Sequence, residues 1–460
     1  MNRPEFPQYS ELENLFGPPF VPYGKKGFRL STRYLAALYI QKTQVQVFDT
    51  GWVCWMDRWK KLNENDVLND LEDLISQLCI DYDIRGKIQV SESELHETQQ
   101  IIKRIAYSGP MPQMNPDIIP VSNGVLRWVD TRQDFEFVDY TPEIMVFDRM
   151  MSISYDPAAT APQFEAVLQE IIPDAEDRRV AQEYLGAALF FENRTRKFLL
   201  CLGEGGCGKT ILSLFLIAII GKDRTMELNM SNVKNPYEFS SLTTQNLLTA
   251  PEAVSRALCS DGAEWVKKCV GGDFFQTQQK FRNARVDHYG TFSLIVMSNH
   301  QLRFRYEGRG DEWRDRVIPI FFDRHVPDER RELGLVDRLL REEGPGIFNW
   351  FLEGGRRVRR NNWRITLSPI QRDRTERLLA LSNPMMVFVQ NHIDFSAGIY
   401  FTSADAWSHY LRVRQEAGLP VLESAAFYKQ LSKAMAEVHR AVRVNSLPGK
   451  QRGYRGFELV

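Results

Sequence analysis

The stretch Gly203-Glu-Gly-Gly-Cys-Gly-Lys209-Thr210 decides the fold of this chain. An apolar run at residues 198–202 precedes it, and a second apolar run at residues 211–220 follows it. This order predicts a buried strand, a glycine-rich loop and a helix, with a complete G-x-x-x-x-G-K-T pattern in the loop. Such a loop binds nucleoside triphosphates, because its backbone N–H groups and the positive end of the helix dipole converge on phosphate oxygens.

The phosphate loop, residues 203–210, supplies the predicted nucleotide site. We expect Lys209 to neutralise β- and γ-phosphate oxygens and the Thr210 hydroxyl to hold Mg²⁺, which makes ATP and Mg²⁺ the expected cofactors. The expected nucleotide-binding residues are Gly203, Glu204, Gly205, Gly206, Cys207, Gly208, Lys209, Thr210 and Ile211.

Length and composition restrict the class of protein. The 460 residues are enough for several domains, and 43% hydrophobic with 25% charged residues is ordinary for a globular chain. No apolar run approaches the ~20 residues of a membrane span, and the N-terminus does not have the pattern of a signal peptide. We therefore expect a cytoplasmic protein with no membrane partner. The net charge of −1 argues against a protein that simply coats nucleic acid.

Four segments are expected along the chain. Residues 1–155 are predicted to form a mixed α+β accessory domain, residues 156–194 a helical collar, residues 195–370 the nucleotide-binding domain and residues 371–460 a C-terminal domain. Asn123-Gly124 is a turn signal between two predicted strands of the first segment, and residues 162–193 have a helical pattern. In the last segment, helices predicted near Pro384, Thr402 and Ser424 precede two strands joined by a basic turn, which predicts a winged helix. That architecture serves either as a DNA-binding unit or as a protein interface.

Two polar residues follow predicted buried strands downstream of the loop. Glu252 follows the run at residues 246–250, where a carboxylate can activate the attacking water and support Mg²⁺. Pro251 stands where an acid would be usual, so Glu252 serves alone or with help from Asp273. Asn299 follows the run at residues 292–298, where its amide can contact the γ-phosphate or the water. The alternatives are that Glu252 is an ordinary surface residue at a strand end and that Asn299 starts a turn.

Arg314 and Arg316 precede another apolar run. A guanidinium that reaches into a neighbouring subunit's site would act as an arginine finger, worth about 10³ to 10⁵ in rate. The alternative is a surface pair with Asp315.

Residues 267–288 are predicted to form a polar and basic loop that could grip a sugar-phosphate backbone. The alternative is a solvated hairpin without a ligand. The expected DNA-binding residues are Lys267, Lys280, Arg282 and His288.

The order of these motifs resembles the superfamily 3 helicase domain of phage and plasmid replication proteins and poxvirus primase-helicases. The similarity covers residues 120–460 well and residues 1–120 weakly. It implies an AAA+-type α/β ATPase core that works as a homohexameric ring and draws single-stranded or forked DNA through its channel, 3′ to 5′. It also implies roles for Lys209 and Thr210 at phosphate and metal, Glu252 as base and Asn299 as sensor. Lys280 and His288 would contact DNA, and Arg314 or Arg316 would be the finger.

Two other functions remain open at this point. An ATP-dependent origin-binding initiator or loader would share every nucleotide-binding residue without unwinding processively. A small-molecule kinase is disfavoured, because the sequence shows no evident acceptor lid. A primase, polymerase or initiator is a further candidate partner.

Overall fold

The computed structural model describes residues 9–24, 27–49, 51–110, 115, 117–144, 146, 150–230, 242, 245–259, 261–278, 285–304, 311–382, 384–416 and 420–460. The chain divides into two compact units, Met1–Met151 and Ser152–Val460. Within the described ranges, no helix is both long enough and apolar enough to cross a membrane.

The first unit mixes helices with small antiparallel sheets. The turn signal Asn123-Gly124 joins two of its strands, as the sequence predicts, and Ser91 caps a helix through a reciprocal bond with Glu94. Its elements are α1 (Ser10–Phe16), β1 (Phe20–Tyr23), β2 (Gly27–Leu30), α2 (Thr32–Thr43), β3 (Gln46–Phe48), β4 (Gly51–Trp55), β5 (Trp59–Leu62), α3 (Glu64–Asp81), α4 (Glu92–Ile105), β6 (Ile118–Val121), β7 (Gly124–Val129) and β8 (Asp134–Val138).

The second unit is built around a parallel sheet. Its elements up to the last strand of that sheet are α5 (Pro162–Ile171), α6 (Ala175–Ala188), β9 (Phe198–Leu202), α7 (Lys209–Ile220), β10 (Thr225–Glu227), β11 (Leu247–Ala250), α8 (Asp261–Gly271), β12 (Phe274–Gln278), β13 (Arg285–Tyr289), β14 (Ser293–Ser298), α9 (Asp311–Arg314) and β15 (Val317–Phe321). The order across the sheet is β10-β11-β14-β9-β15, and every neighbouring pair is parallel. The chain is thus a mixed α/β protein with a central parallel sheet.

Strand β9, which leads into the phosphate loop, lies between β14 and β15. All five of its residues are buried, as are those of β11 and β14. Continuous apolar strands of this kind are typical of a sheet covered on both faces. The carboxyl ends of parallel strands meet at one edge of the sheet, where α/β proteins bind their ligands.

The helices before and after the sheet pack on each other. Helix α10 (Leu335–Arg360) crosses α6 so closely that a Cβ on Gly354 would lie 1.9 Å from the Gln182 carbonyl oxygen. At the start of α5, the buried Glu343 carboxylate accepts the backbone N–H groups of Gln163 and Phe164, at 3.0 Å each. These contacts hold α5 against α10 beside the sheet edge.

The C-terminal residues form a smaller helix-and-strand arrangement. Its elements are α11 (Pro369–Ser382), α12 (Pro384–His392), β16 (Ile393–Thr402), α13 (Ser403–Glu416), α14 (Ser424–His439), β17 (Val444–Leu447) and β18 (Gln451–Leu459). The three strands pair antiparallel in the order β16-β18-β17. Leu378 and Leu379 of α11 join the apolar core of the parallel sheet, whereas a separate core begins at Met385.

Three local features differ from the sequence-based expectations. The helical run expected over residues 162–193 is interrupted, because Pro173 cannot donate a backbone hydrogen bond and Asp174 starts a new helix as its cap. Ser424 is the first residue of α14 rather than its cap, and Glu423 stands at that position. Strand β16 was not expected from the sequence, since most of its residues are exposed or half-buried.

Candidate nucleotide-binding site

The phosphate loop runs from the end of β9 to the start of α7. Gly206 and Gly208 adopt positive φ angles of 82° and 84°, which disfavour residues with a Cβ atom. The Val326 N–H donates to the Gly206 carbonyl oxygen at 3.1 Å. A Cβ on Gly208 would lie 2.6 Å from Cγ2 of Ile171. The loop is therefore a tight cradle, packed between the end of α5 and the segment that follows β15.

Lys209 is bound to its own loop. Its ammonium donates to the carbonyl oxygens of Gly203 and Glu204, at 2.7 and 2.6 Å, and its side chain is 7% exposed. Burial lowers the pKa of Lys209 from its usual value. A phosphate in the cradle would offer this ammonium an anionic partner in place of two neutral carbonyls.

A cavity of about 540 Å³ opens above the loop. Glu252 and Asn299 both line it, together with Lys209 and Thr210. The sheet order explains this meeting: Asn299 follows β14, which lies beside β9, and Glu252 follows β11, the next strand beyond β14, so both residues lie at the carboxyl ends of parallel strands near the loop. Both side chains are exposed to the cavity opening. The structure thus brings together four side chains that the sequence places up to 90 residues apart.

Ser298 joins the two loops that carry Glu252 and Asn299. Its buried hydroxyl lies 2.6 Å from the Ala253 carbonyl oxygen and 2.8 Å from that of His300, and it accepts the His300 N–H at 3.1 Å. The Ala253 N–H in turn donates to the Met297 carbonyl oxygen at 2.9 Å. Sequence reasoning did not select Ser298, although its place at a strand end beside Asn299 was a usable signal.

Three arginines of the same chain line the cavity and were also not anticipated: Arg330, Arg331 and Arg338. Arg330 pairs with Glu170 at 3.0 Å. Arg338 is held by Glu332 and Glu342, at 2.7 and 2.9 Å. Nothing in the local sequence marks these residues, because they approach the loop only after the chain turns back at the end of β15.

Arg314 and Arg316 lie away from the residues that line this cavity. Arg314 pairs with Glu376 through two guanidinium nitrogens. Arg316 donates through Nη1 to the Glu312 carbonyl oxygen at 2.8 Å, and its buried Nε has no hydrogen-bond partner among the residues that the structure describes. Neither arginine therefore serves the phosphate loop of its own subunit in this conformation.

The residues expected to bind DNA fall on two elements. The Lys267 ammonium on α8 donates to Glu312 at 2.8 Å. His288 on β13 is 5% exposed, stacks on Phe275 and shares a 2.8 Å hydrogen bond with Thr277. Lys280 and Arg282 lie outside the described residues, between β12 and β13.

The hairpin of β12 and β13 carries an aromatic pair that was not anticipated. Phe274 and Tyr289 face each other across the antiparallel register and are 53% and 64% exposed, with ring centroids 5.7 Å apart. Exposed aromatic rings are stacking platforms for unpaired bases, and this pair stands at the base of the predicted DNA loop.

The cradle fits a nucleotide and its metal ion. A Cβ at Gly206 or Gly208 would clash with Arg331 or Ile171, so the loop passes these side chains as bare backbone, and the Thr210 hydroxyl and Glu252 carboxylate are oxygen donors at the same cavity. Oxygen ligands of this type, together with phosphate oxygens, are those that Mg²⁺ takes. Among the described residues, no cluster of three or more His, Cys, Asp or Glu side chains could hold a metal by itself.

Comparison with known proteins adds a distant similarity. No family model matches this chain. Solved structures similar to it include an A-form apo structure of the NrS-1 C-terminal region, with 11% identity, a TM-score of 0.49, and 93% of this chain and 99% of that chain covered. A second apo structure of the same region has 12% identity, a TM-score of 0.46, and 92% and 99% covered. No residue role follows from similarity at this level.

Proposed function

We propose that this chain is an ATP-driven DNA motor: an AAA+-type, superfamily 3 helicase that acts in the replication of a phage, plasmid or other mobile element. The main support for this proposal is that one cavity is lined by the phosphate loop, Glu252 and Asn299. A cation for the phosphates, an acid for the water and an amide for the γ-phosphate are the parts that nucleotide hydrolysis requires.

Assembly into a homohexameric ring is part of the proposal. Arg314 and Arg316 lie outside the cavity of their own chain: Arg314 is the last residue of α9, and Arg316 directly precedes the edge strand β15. This placement supports a role in a neighbouring subunit's site. Within the described part of the chain, the buried Nε of Arg316 has no hydrogen-bond partner, and a phosphate or carboxylate at a subunit interface could satisfy it.

Single-stranded and forked DNA are the proposed partners. The β12–β13 hairpin has Phe274 and Tyr289 at its base, and the sequence between its strands contains Lys280 and Arg282, which supports a grip on unpaired bases and backbone. The buried contacts of His288 suit it to hold the hairpin's shape rather than to touch DNA.

The C-terminal arrangement supports contact with the duplex part of a fork. Helix α14 buries Phe427, Leu431 and Met435 and exposes Lys429 and Lys433 on its other side. Residues 425–457 contain one acidic residue, Glu437, and the basic residues Lys429, Lys433, Arg440, Arg443, Lys450, Arg452 and Arg455. Residues 384–424, by contrast, have more acidic than basic residues. This excess of basic side chains in residues 425–457 favours binding to a phosphate backbone.

The first experiment measures ATP hydrolysis by a Lys209→Ala variant. We expect a loss of about a hundredfold or more, because two or more charge-assisted contacts to the phosphates disappear. Lys222→Ala, an exposed lysine just beyond α7, is the matched control and should keep wild-type activity. A Lys209→Ala variant that hydrolyses ATP normally would rule out this site.

The role of the ring is tested by mixing subunits. Arg314→Ala/Arg316→Ala chains added to wild-type chains should depress ATPase activity more steeply than dilution, since each variant chain impairs its neighbour's site. These chains should still bind nucleotide, which shows that they fold. A loss of rate that is linear in the variant fraction would count against a finger acting between subunits.

The remaining candidate, an origin-binding initiator or loader, differs in its use of the hairpin. Lys280→Ala/Arg282→Ala should abolish displacement of a labelled strand from a forked duplex while leaving DNA-independent ATPase activity in place. Wild-type protein that hydrolyses ATP and binds forked DNA but displaces no strand would favour the initiator.

A further inference from the structure

The segment that follows β15 lies across the phosphate loop. We call residues 325–331 the strap. Its Val326 N–H donates to the Gly206 carbonyl oxygen, and a Cβ on Gly206 would lie 2.2 Å from Nη2 of Arg331 and 2.9 Å from Cε1 of His325. The Arg331 guanidinium is therefore packed directly against the loop glycine.

Three contacts hold Arg331 in this position. Its Nε donates to the Val326 carbonyl oxygen at 3.1 Å, and its Nη2 donates to Nε2 of His325 at 2.9 Å. Because a guanidinium only donates, Nε2 of His325 accepts and the ring proton sits on Nδ1. Nη1 lies 2.6 Å from the Asp328 carboxylate. The guanidinium is thus oriented before any ligand arrives.

Among the other cavity arginines, Arg338 has stronger ion pairs than Arg331. Arg338 makes a two-pronged pair with Glu332 and a further bond to Glu342, and these carboxylates raise its pKa. Arg330 points to Glu170. Arg331 has one carboxylate partner, and the Arg331 and Asp328 side chains are 43% and 80% exposed. An exposed ion pair of this kind contributes little to stability, so the Arg331 guanidinium can exchange Asp328 for a more highly charged partner.

We propose that Arg331 is a phosphate ligand in cis, binding the terminal phosphates of the nucleotide held by its own chain. This inference rests on the proposed nucleotide site. A planar guanidinium matches two phosphate oxygens at once, and its place beside Gly206 puts it at the loop that wraps the β-phosphate. Arg331 moves from Asp328 to the nucleotide, whereas Arg314 and Arg316 act only across an assembled interface.

The strap also connects the phosphates to the rest of the unit. It leads within four residues into α10, whose first turns line the cavity through Leu335 and Arg338. A triphosphate bound by Arg331 therefore fixes the start of the helix that packs on α6. The diphosphate, with less charge beside Gly206, binds Arg331 less strongly.

The test compares nucleotide binding by full-length variants, measured by calorimetry with ADP and with a non-hydrolysable ATP analogue. Arg331→Ala should weaken binding of the analogue about tenfold or more and binding of ADP by less, at every protein concentration, since the contact lies within one chain. Arg331→Lys should recover part of the loss. Arg324→Ala is the matched control, since Arg324 is exposed just before the strap and is not among the residues that line the cavity, and it should change affinity less than about threefold.

The outcomes separate the two claims. If Arg331→Ala binds both ligands as wild type does while Lys209→Ala binds neither, the cis ligand is overturned and the nucleotide site stands. If Lys209→Ala also binds normally, the proposed site itself fails. Equal weakening of adenosine and the ATP analogue in Arg331→Ala would mean a distorted loop and would overturn the inference.

Discussion

Replacing Ser298 with alanine tests how the two loops above the cavity are positioned. The hydroxyl has one proton and lies within hydrogen-bond distance of two carbonyl oxygens, at 2.6 Å from Ala253 and 2.8 Å from His300. It also accepts the His300 N–H. Because Ser298 is 1% exposed, water does not readily replace these bonds. The structure therefore predicts a loss of about 1–3 kcal/mol in the free energy of unfolding.

The same change should slow catalysis more than it weakens binding. Asn299 is the next residue, and Ala253 follows Glu252, so the lost hydroxyl frees both loops relative to each other. A displacement of about 1 Å at such a site can reduce the rate by about a hundredfold. We expect kcat for ATP hydrolysis to fall about tenfold to a hundredfold. The nucleotide Kd should change by less than about threefold, because the lost hydroxyl bonds to Ala253 and His300, while the Gly203 N–H of the phosphate loop still donates to the Ser298 backbone carbonyl oxygen.

Urea denaturation and steady-state phosphate release measure the two effects. Ser293→Ala is the matched control, since Ser293 is 4% exposed on the same strand but at the end away from the cavity. Its kcat should remain near that of wild type. Equal kcat values for Ser298→Ala and Ser293→Ala would refute a positioning role for Ser298.

Two further predictions concern packing and titration. Gly354→Ala should destabilise the protein by about 3 kcal/mol, because its Cβ would lie 1.9 Å from the Gln182 carbonyl oxygen on α6. Gly344→Ala, on the same helix, is the control: its Cβ would meet a methyl carbon of Ile153 at 3.4 Å, so this change should be neutral or slightly stabilising. Chemical denaturation of both variants checks this, and equal losses would contradict it. Burial lowers the pKa of His288 in the folded protein below its ordinary value of 6.5. As the pH falls, His288 therefore takes up a proton in the unfolded chain before it does so in the folded protein. The free energy of unfolding should consequently decrease as the pH drops below 6.5, until the pH reaches the pKa of the folded state. His288→Gln should flatten this fall between about pH 7.5 and 5.5 in thermal unfolding, and an unchanged slope would disprove the assignment.

Much of the candidate nucleotide site was predictable because its parts are local. Residues 198–220 specify strand, loop and helix through apolar runs and loop glycines. Glu252 and Asn299 were recognisable as polar residues at the ends of buried strands. The strand order places both beside the phosphate loop, which the sequence could only suggest by analogy.

Other features depended on contacts that no local pattern carries. His288 looked like part of a basic DNA-binding loop, but the register of β12 and β13 pairs it with Phe275 and turns it inward. Strand β16 lacks a strong alternating pattern because its middle residues face solvent, and only its pairing with β18 defines it.

The sequence by itself determined that this chain has a phosphate loop between a buried strand and a helix. The backbone conformation of that segment depends on residues that are close to each other in the sequence. Tertiary structure decided which distant side chains reach that loop. Glu252 and Asn299 meet Lys209 because parallel strands share one edge, and Arg331 reaches Gly206 because the chain folds back after β15. Residues more than a hundred positions apart come into contact only when the sheet and its flanking helices have packed.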